Sequence, residues 1–563
     1  MSTITATRRQ VLAGAGIAAA STAVLGASAA LADEAADAAA TAAAPAWLGE
    51  APAITDADCT ETVETEVLVC GAGDAGLFCA CAAAEEGAKV LLIDPMEKGF
   101  GIRCSALGAV DSKLQQQAGV TIDKMEIVND VTHYADGVCD MRIWKMWADE
   151  SGEAIDWYTD HCVGTGVLAI ENEYNMPEGT RYQCWPTGHA TLGTEMKWAN
   201  ESVTTDYFID YLNGFDGCEH RGFTKLAELI VEDGKVTGAY CATSADGDEF
   251  NSYIRVNASK GVVVATGGYV LNKDMMHDLQ PDVIGGLSTF FTTSKVYGEG
   301  IKACMWAGAK LEPNQTTMVF DRGAVDPGEP VGDGASIPGT NALQSQPFLK
   351  VNTDGERFCN ESSPYDYVFH AAAKFADKTW YSIWDANFLN DVDRFHTVGC
   401  STQLIREGGD HLMGNEPEGV TASVDQAVEA GTVVKADTLE ELAEGLGINV
   451  ENFVKTVERY NELFDAQEDS DFGKEAFRLS ELRTAPFYGV KLGGTALATL
   501  SGIEVTPEFE ALSTEGQVIE GLYVIGNDCG NKYNKTYPNF AAGINAGLCA
   551  TMGRHVGHVL AAK

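Results

Sequence analysis

The sequence of 563 residues contains no Cys-x-x-Cys pair and no Cys-x-x-Cys-His, although it has 15 cysteines. Zinc ribbons, bacterial-type iron–sulfur runs and attached c-type haem are thereby excluded on their usual signatures. It also lacks His-Glu-x-x-His, and its 10 histidines form no tight cluster beyond His555 and His558, so no metal site is expected. Basic residues are scarce: 38 Lys and Arg stand against 82 Asp and Glu, a formal charge of −44. Such a chain repels nucleic acid and anionic lipid surfaces, and neither is expected as a partner. Past the first 32 residues no stretch reaches the ~20 apolar residues of a membrane span, so the mature chain is not expected to insert stably into a membrane. The cysteine count is odd, and Cys70, Cys79 and Cys81 fall where a strand and a helix want small core residues, which does not describe a disulfide framework.

What is present begins with an address. Arg8 and Arg9 precede an Ala-rich apolar stretch at residues 11–31, and Ala30-Leu31-Ala32 supplies the small-x-small pattern of a cleavage site. Thr7-Arg8-Arg9-Gln10-Val11-Leu12 resembles a twin-arginine export signal, so residues 1–32 are read as a signal peptide and the mature protein as extracytoplasmic, in a periplasm or at the cell surface. Residues 33–61, rich in Ala, Asp, Glu and Pro, are read as a flexible linker. The remainder, in a chain with 45% apolar residues, is long enough for at least two domains.

Residues 67–69 predict a short buried strand, residues 77–86 a helix and residues 89–93 a second strand: a βαβ unit. Between its first strand and helix lies Val67-Leu-Val-Cys-Gly71-Ala-Gly73-Asp74-Ala75-Gly76. In such a turn the first glycine permits the bend, the second lets backbone approach a pyrophosphate, and the third lets helix pack on strand. Asp94 ends the second strand, 23 residues after Gly71, where a carboxylate can bind ribose hydroxyls. This combination points to a dinucleotide and leaves FAD and NAD open. Residues 261–266 and 521–525 predict two more central strands of the same sheet, each closed by glycine, so the sheet draws on both ends of the chain. Residues 439–464 carry the apolar spacing of amphipathic helices, within a middle part that reads as a separate cap.

Four later segments carry a resemblance. Ala265-Thr266-Gly267-Gly268-Tyr269 follows a Val-rich strand, Gly298-Glu-Gly300 and Ala307-Gly308-Ala309 lie within residues 294–309, Val351-Asn352 precedes Gly355-Glu-Arg357-Phe-Cys-Asn360-Glu361, and Gly526-Asn527-Asp528 ends a strand. In this order they resemble the flavoprotein family of fumarate reductases, succinate dehydrogenases, urocanate reductases and 3-ketosteroid dehydrogenases, over roughly residues 62–560. The resemblance implies an α/β fold, a Rossmann-like FAD-binding domain (62–310 and 486–563) with an inserted α+β cap domain (311–485). It implies FAD contacts from Gly71, Gly73, Asp74, Ala75, Gly76, Asp94, Ser105, Gly108, Ala265, Thr266, Gly267, Gly298, Gly300, Gly526, Asn527 and Asp528. The stretch Ile102-Arg103-Cys104-Ser105 lacks the family's flavin-linking histidine, so non-covalent FAD is implied.

Against the fumarate reductases the chain departs at four substrate positions. Thr317 stands for one histidine after Glu312 and Gln315, Ala498 for another, Tyr537 for a substrate-clamping arginine, and Phe388 or Leu389 for the proton-donating arginine after Trp384-Asp385. A small dicarboxylate needs those cations. Tyr365 and Tyr537 resemble instead the two tyrosine sites of the 3-ketosteroid dehydrogenase branch, although Asn539, Phe540 and Ala541 replace the glycines usual after Tyr-Pro. Tyr365, Tyr537 and Arg357 are the catalytic candidates, with Tyr367 as a neighbouring proton donor. The expected activity is reduction of a carbonyl-conjugated C=C bond in a small enone-type acceptor, fed by a separate cytochrome c or quinol-linked donor. The reverse dehydrogenation is the first alternative, and a flavin electron carrier without substrate chemistry the second. Trp185-Pro-Thr-Gly-His189 is a lesser candidate for the substrate entrance.

Overall fold

Residues 67–70, Val-Leu-Val-Cys, have no polar side, and such a strand belongs between two others with cover on both faces. In the computed structural model, which describes residues 44–102, 107–162, 168–170, 179, 184–191, 201–292, 295–334, 342–397, 401, 403–404 and 415–563, they end the strand Cys59–Cys70. This strand pairs in parallel with Val90–Ile93 on one side and Ser252–Val264 on the other, Val67 standing opposite both Val90 and Gly261. The expected signal peptide and Ser105 lie outside the described residues. Of the N-terminal unit, residues 1–50, the described part is a turn in which Leu48 N donates to Pro45 O at 3.0 Å. Residues 51–563 form the second unit.

Among the described residues the first sheet has eight strands. One path runs Glu510–Leu512, Val518–Val524, Ser252–Val264, Cys59–Cys70, Val90–Ile93, Glu219–Arg221, and Lys235–Thr243 with Thr224–Glu232 branches from Ser252–Val264. Ser252–Val264 shows both kinds of strand in one chain. Its first half alternates between buried and part-exposed residues beside the antiparallel hairpin, and its last four residues are buried throughout between parallel neighbours. The helix Asp74–Glu85 is buried over residues 75–84, which the small side chains of Ala, Gly and Cys permit. The C-terminal helix Ile544–Ala562 lies on it, and Gly553 and Gly557 make the close approach possible: a Cβ there would stand 2.4 Å from Ala75 O and 2.6 Å from Cys79 O.

A second sheet runs Thr317–Val325, Phe487–Thr499, Trp380–Trp384, Leu349–Val351, with Val433–Ala436 and Leu287–Phe290 also paired to Phe487–Thr499. The amphipathic stretch expected at residues 439–464 forms two helices against it. Leu439–Leu446 is capped by Thr438 and ends at Gly447 in the left-handed region, φ +75°, and Val450–Ala466 is capped by Asn449. Their apolar faces, with Leu442, Leu446, Phe453 and Val457, meet Tyr381, Ile383 and Phe487 of the sheet in one core. No helix among the described residues is long and apolar enough to cross a membrane. The 12 cysteines whose state is described are free thiols.

Candidate functional site

The strands ending at Cys70, Val264 and Val524 are adjacent and parallel, so the turns that follow them converge at one edge of the sheet, where open α/β sheets bind ligands. At the first turn Gly71 has φ +113°, and a Cβ on it would lie 2.2 Å from Ala265 O; a Cβ on Gly76 would lie 1.8 Å from Gly71 O. The protein's own backbone demands both glycines. Gly73 differs: it is extended, precedes the helix without a side-chain cap, and a Cβ on it would meet nothing within 4 Å. Open space therefore lies in front of a helix N-terminus begun by Asp74 and Ala75, where the N–H groups of the first turn and the positive dipole end suit a pyrophosphate. Asp94, buried at the end of Val90–Ile93, accepts from Ala72 N and Met96 N at 2.8 Å each. Each oxygen retains a lone pair for a ribose hydroxyl. Burial raises its pKa against the pull of these two bonds.

The second and third turns are bound to each other. Asp528 is fully buried, and its carboxylate accepts from Thr266 N, from Thr266 Oγ1 at 2.9 Å, from Gly267 N at 3.1 Å and from Gly268 N at 2.9 Å. It holds the turn after Ala265 in shape, with Gly267 and Gly268 at φ +94° and +87°. Gly298 and Gly300 meet the same turn from outside: Gly298 N donates to Gly268 O at 3.1 Å, and a Cβ on Gly300 would lie 2.3 Å from Thr266 Oγ1. Gly526, at φ +67°, accepts from buried Lys532 Nζ, while Asn527 Oδ1 accepts from Asn545 Nδ2 at 3.1 Å. Gly108 N donates to Gly543 O at 2.9 Å, and a Cβ on Gly547 would lie 1.7 Å from Gly108 O, so Gly108 meets the start of the C-terminal helix backbone to backbone. The donor set, the acidic ribose position and the unfilled front of Gly73 fit a dinucleotide.

Residues 185–189 border the same region. His189 is buried, its Nδ1 facing Leu107 O and Thr187 O and its Nε2 2.8 Å from Ser112 Oγ, and burial lowers its pKa to about 4. It is a neutral residue that braces residues 107–109 and does not line an entrance.

On the cap side the three catalytic candidates separate. Arg357 donates to Glu361 twice at 2.7 Å and to Asp469 at 2.9 and 2.7 Å, under the rings of Tyr460 and Phe472. These bonds hold the pKa of Asp469 down to about 2, and they make Arg357 a tie between two cap segments. Tyr365 opens the helix Tyr365–Ala372; its side chain lies outside the described residues. Tyr537 is buried, with its ring centroid 6.1 Å from that of Tyr533, whose hydroxyl donates to Asn545 Oδ1 at 3.2 Å. Tyr537 thus joins the tyrosine segment to the Asn527–Asn545 pair. Asp366, which sequence reasoning passed over, accepts Tyr537 N at 3.3 Å; its only signal was an acid at the start of an otherwise apolar helix.

Of the positions at which the sequence departs from the fumarate reductases, Thr317 joins a chain of neutral side chains that bond one another. Thr317 Oγ1 donates to Gln280 Oε1 at 2.8 Å, Gln280 Nε2 to Tyr269 OH at 2.8 Å, Tyr269 OH to Gln315 Oε1 at 2.6 Å, and Ser501 Oγ to Gln315 Oε1 at 2.8 Å. Phe388 is buried edge-on to Tyr488. Beside this chain Glu312 accepts from Gly502 N and Asn531 N, and burial pushes its carboxyl up to about 8.

Residues 66–544 match the FAD binding domain family, and the chain belongs to this family of FAD-dependent oxidoreductases, with FAD as its cofactor. It is 27% identical to the vinyl phenol reductase of Lactiplantibacillus plantarum over 505 residues, 87% of this chain and 95% of the relative. Among solved structures it is similar in fold to the open conformation of a flavocytochrome c3 fumarate reductase (TM-score 0.65, 21% identity, 90% of this chain and 79% of the other). It is likewise similar to 3-ketosteroid delta1-dehydrogenase from Sterolibacterium denitrificans (TM-score 0.66, 17% identity, 89% and 99%).

Proposed function

We propose that the chain is an exported reductase of a carbon–carbon double bond conjugated to a carbonyl in a small organic acceptor other than fumarate. The observation that carries this reading is the neutral chain Thr317–Gln280–Tyr269–Gln315, with Tyr537 where a clamping arginine would stand. A buried site of this kind desolvates a carboxylate without repaying it, and suits an acceptor with a neutral polar end. A relative named for reducing a vinyl phenol, matched over nearly its whole length, supports an alkene acceptor that is not a dicarboxylate. When bound, FAD supplies hydride to one alkene carbon. Asp94 and the first turn of Asp74–Glu85 hold its adenosine diphosphate end, and the turns at residues 265–268 and 526–528 hold the remainder. Tyr365, or Tyr367 beside it, protonates the other alkene carbon, and Tyr537 donates a hydrogen bond to the carbonyl oxygen as charge moves onto it. Electrons come from a separate cytochrome c or quinol-linked protein, and the resemblance of residues 7–12 to a twin-arginine signal supports an exchange outside the cytoplasm.

The test is anaerobic. Chemically reduced holoenzyme is mixed with simple enones, cinnamate-like acids, 4-vinylphenol, a steroid enone and fumarate, and return of the oxidised flavin spectrum is followed. Rapid return with an enone and none with fumarate is expected. Bleaching of the oxidised holoenzyme by a saturated ketone, with no response to any alkene, overturns the reductive reading in favour of dehydrogenation.

A further inference from the structure

Three lysines among the described residues are buried at 2% exposure or less, and two of them face an acid: Lys350 Nζ lies 3.8 Å from Asp321 Oδ2, and Lys474 Nζ lies 3.5 Å from Glu361 Oε2. The third, Lys532, is 0% exposed and forms no ion pair among the described residues. Its ammonium donates to Gly526 O, and its own carbonyl accepts from Trp144 Nε1 at 2.9 Å, so the side chain is held under the turn Gly526–Asp528. The face of the Tyr533 ring, 6.0 Å from Nζ, is a weak counterpart. The acids within its electrostatic reach are kept neutral: burial pushes Glu312 up to about 8 and the thiols of Cys529 and Cys549 up to about 12, each against the pull of Lys532. The carboxylate of Asp528 is engaged by the donors of residues 266–268. A buried ammonium without a counter-ion costs stability unless something else supplies negative charge.

Its place says what supplies it. Gly526 lies just past the strand Val518–Val524, whose end is one of the three that converge at the ligand-binding edge of the first sheet. A Cβ on Gly526 would lie 3.1 Å from Ala75 Cβ, in the first turn of Asp74–Glu85, so this turn adjoins the helix N-terminus with its open front. A trans peptide sets its C=O and N–H on opposite sides. With the Gly526 carbonyl turned inward to Lys532, the N–H of Asn527 is turned away from it. The ammonium thus stands one peptide group behind the edge that takes FAD, a ligand with a negatively charged diphosphate and a ring that gains negative charge on reduction.

We propose that Lys532 is the counter-charge of the bound FAD: an ammonium behind the Gly526–Asp528 turn that strengthens FAD binding and raises the reduction potential of the flavin. It is a positioning residue, acting through the Gly526 peptide and through its field, and it touches no reacting atom. Two electrons and one proton convert oxidised flavin into its reduced anion, and a nearby cation favours the added negative charge, so the reduced form is held more tightly than the oxidised form. The inference needs FAD but no particular substrate, and it stands or falls apart from the proposed reduction of an alkene.

The experiment compares wild type with Lys532→Met, Lys532→Gln and Lys532→Arg. Apoprotein is titrated with FAD, and the midpoint potential of the bound flavin is measured anaerobically against reference dyes. Loss of one unit charge, screened as in a protein interior, is expected to weaken FAD binding in Lys532→Met by about 10-fold. Binding of the reduced flavin weakens by about 10-fold more, which lowers the midpoint potential by about 30 mV for a two-electron couple. Lys532→Gln, which can still donate to Gly526 O, shows the same lowered potential, and Lys532→Arg keeps that of wild type. An unchanged affinity and potential in Lys532→Met overturns the proposal. A wild-type potential in Lys532→Gln also overturns it, because the hydrogen bond to Gly526 and not the charge then accounts for Lys532. If Lys532→Met fails to fold, Lys532→Gln and Lys532→Arg decide by the same measurements.

Discussion

The turn after Cys59–Cys70 and the pocket around Asp366 are built from different material. At the turn the contacts are backbone to backbone: Gly71 against Ala265, Gly76 against Gly71, the N–H groups at the start of Asp74–Glu85 toward open space. Around Asp366 they are side chain to side chain, from residues as distant in sequence as Tyr134 and Asn539. The first kind of contact tolerates no added atom and is insensitive to pH. The second tolerates isosteric replacement and responds to proton binding. On the function proposed above, a cofactor common to many reactions is held by the rigid kind and the substrate is left to the adjustable kind.

The sharpest way to break this contrast is to add one side chain at the turn. Gly76→Val places a Cβ 1.8 Å from Gly71 O, so thermal unfolding should shift down steeply and FAD should be lost with the fold. Gly73→Val, where a Cβ meets no protein atom within 4 Å, should fold with a melting temperature close to that of the wild-type apoprotein yet retain no FAD. A yellow, fully loaded Gly73→Val protein would remove the helix N-terminus from cofactor binding.

Next in size is Arg357→Ala, which leaves Asp469 buried without its cation and Glu361 with only Lys474 Nζ, at 3.5 Å. A stability loss of about 3–5 kcal/mol is expected by denaturant titration, with flavin affinity unaltered in the folded fraction. The same cluster gives an acid limb: Asp469 is held below its unfolded pKa, so the stability it contributes is present above about 3.8 and is lost as pH falls toward about 2. Loss of turnover in folded Arg357→Ala without loss of stability would return Arg357 to the catalytic candidates.

Tyr537→Phe should change rate with little change in fold. About a 10²-fold loss of turnover on an enone is expected, with FAD retained and the melting temperature close to wild type. An unchanged rate would remove Tyr537 from the mechanism.

The smallest effect tests the buried acids. Glu312 is held above its unfolded pKa, so its ionisation in the unfolded state lowers stability as pH rises from about 4.5 to about 8. Glu312→Gln should flatten that decline when melting temperatures are compared across this range, and parallel curves would show that Glu312 is ionised in the fold.

The legibility of the two regions in the sequence follows the same division. Residues 67–69, 77–86 and 89–93 marked the strand, helix and strand now seen at Cys59–Cys70, Asp74–Glu85 and Val90–Ile93, because local composition and glycine spacing decide a βαβ turn. The strands expected at 261–266 and 521–525 emerged as the buried ends of longer strands, whose outer parts alternate and give a weaker signal. The second sheet was not drawn from sequence: its strands come from residues 287–499 and pair antiparallel, except Leu287–Phe290, which runs parallel to Phe487–Thr499, in orders that no local pattern specifies. Arg357 was read with the catalytic residues because it sits in a flavoprotein motif, and only the fold brings Asp469 to it. Asp366 was passed over because nothing local distinguishes a buried acid from a solvated one at a helix start.

By itself the sequence determined that a dinucleotide is bound, that the family is flavin-dependent and that four positions depart from the pattern of the fumarate reductases. Each of those rests on glycine geometry or on residue identity at short spacing. The tertiary structure alone decided which carboxyl groups face one another, which are ringed by backbone donors and which are starved of a cation. Burial and partnership, which set the charge of Glu312, Asp366, Asp469 and Asp528, are properties of segments hundreds of residues apart brought into contact.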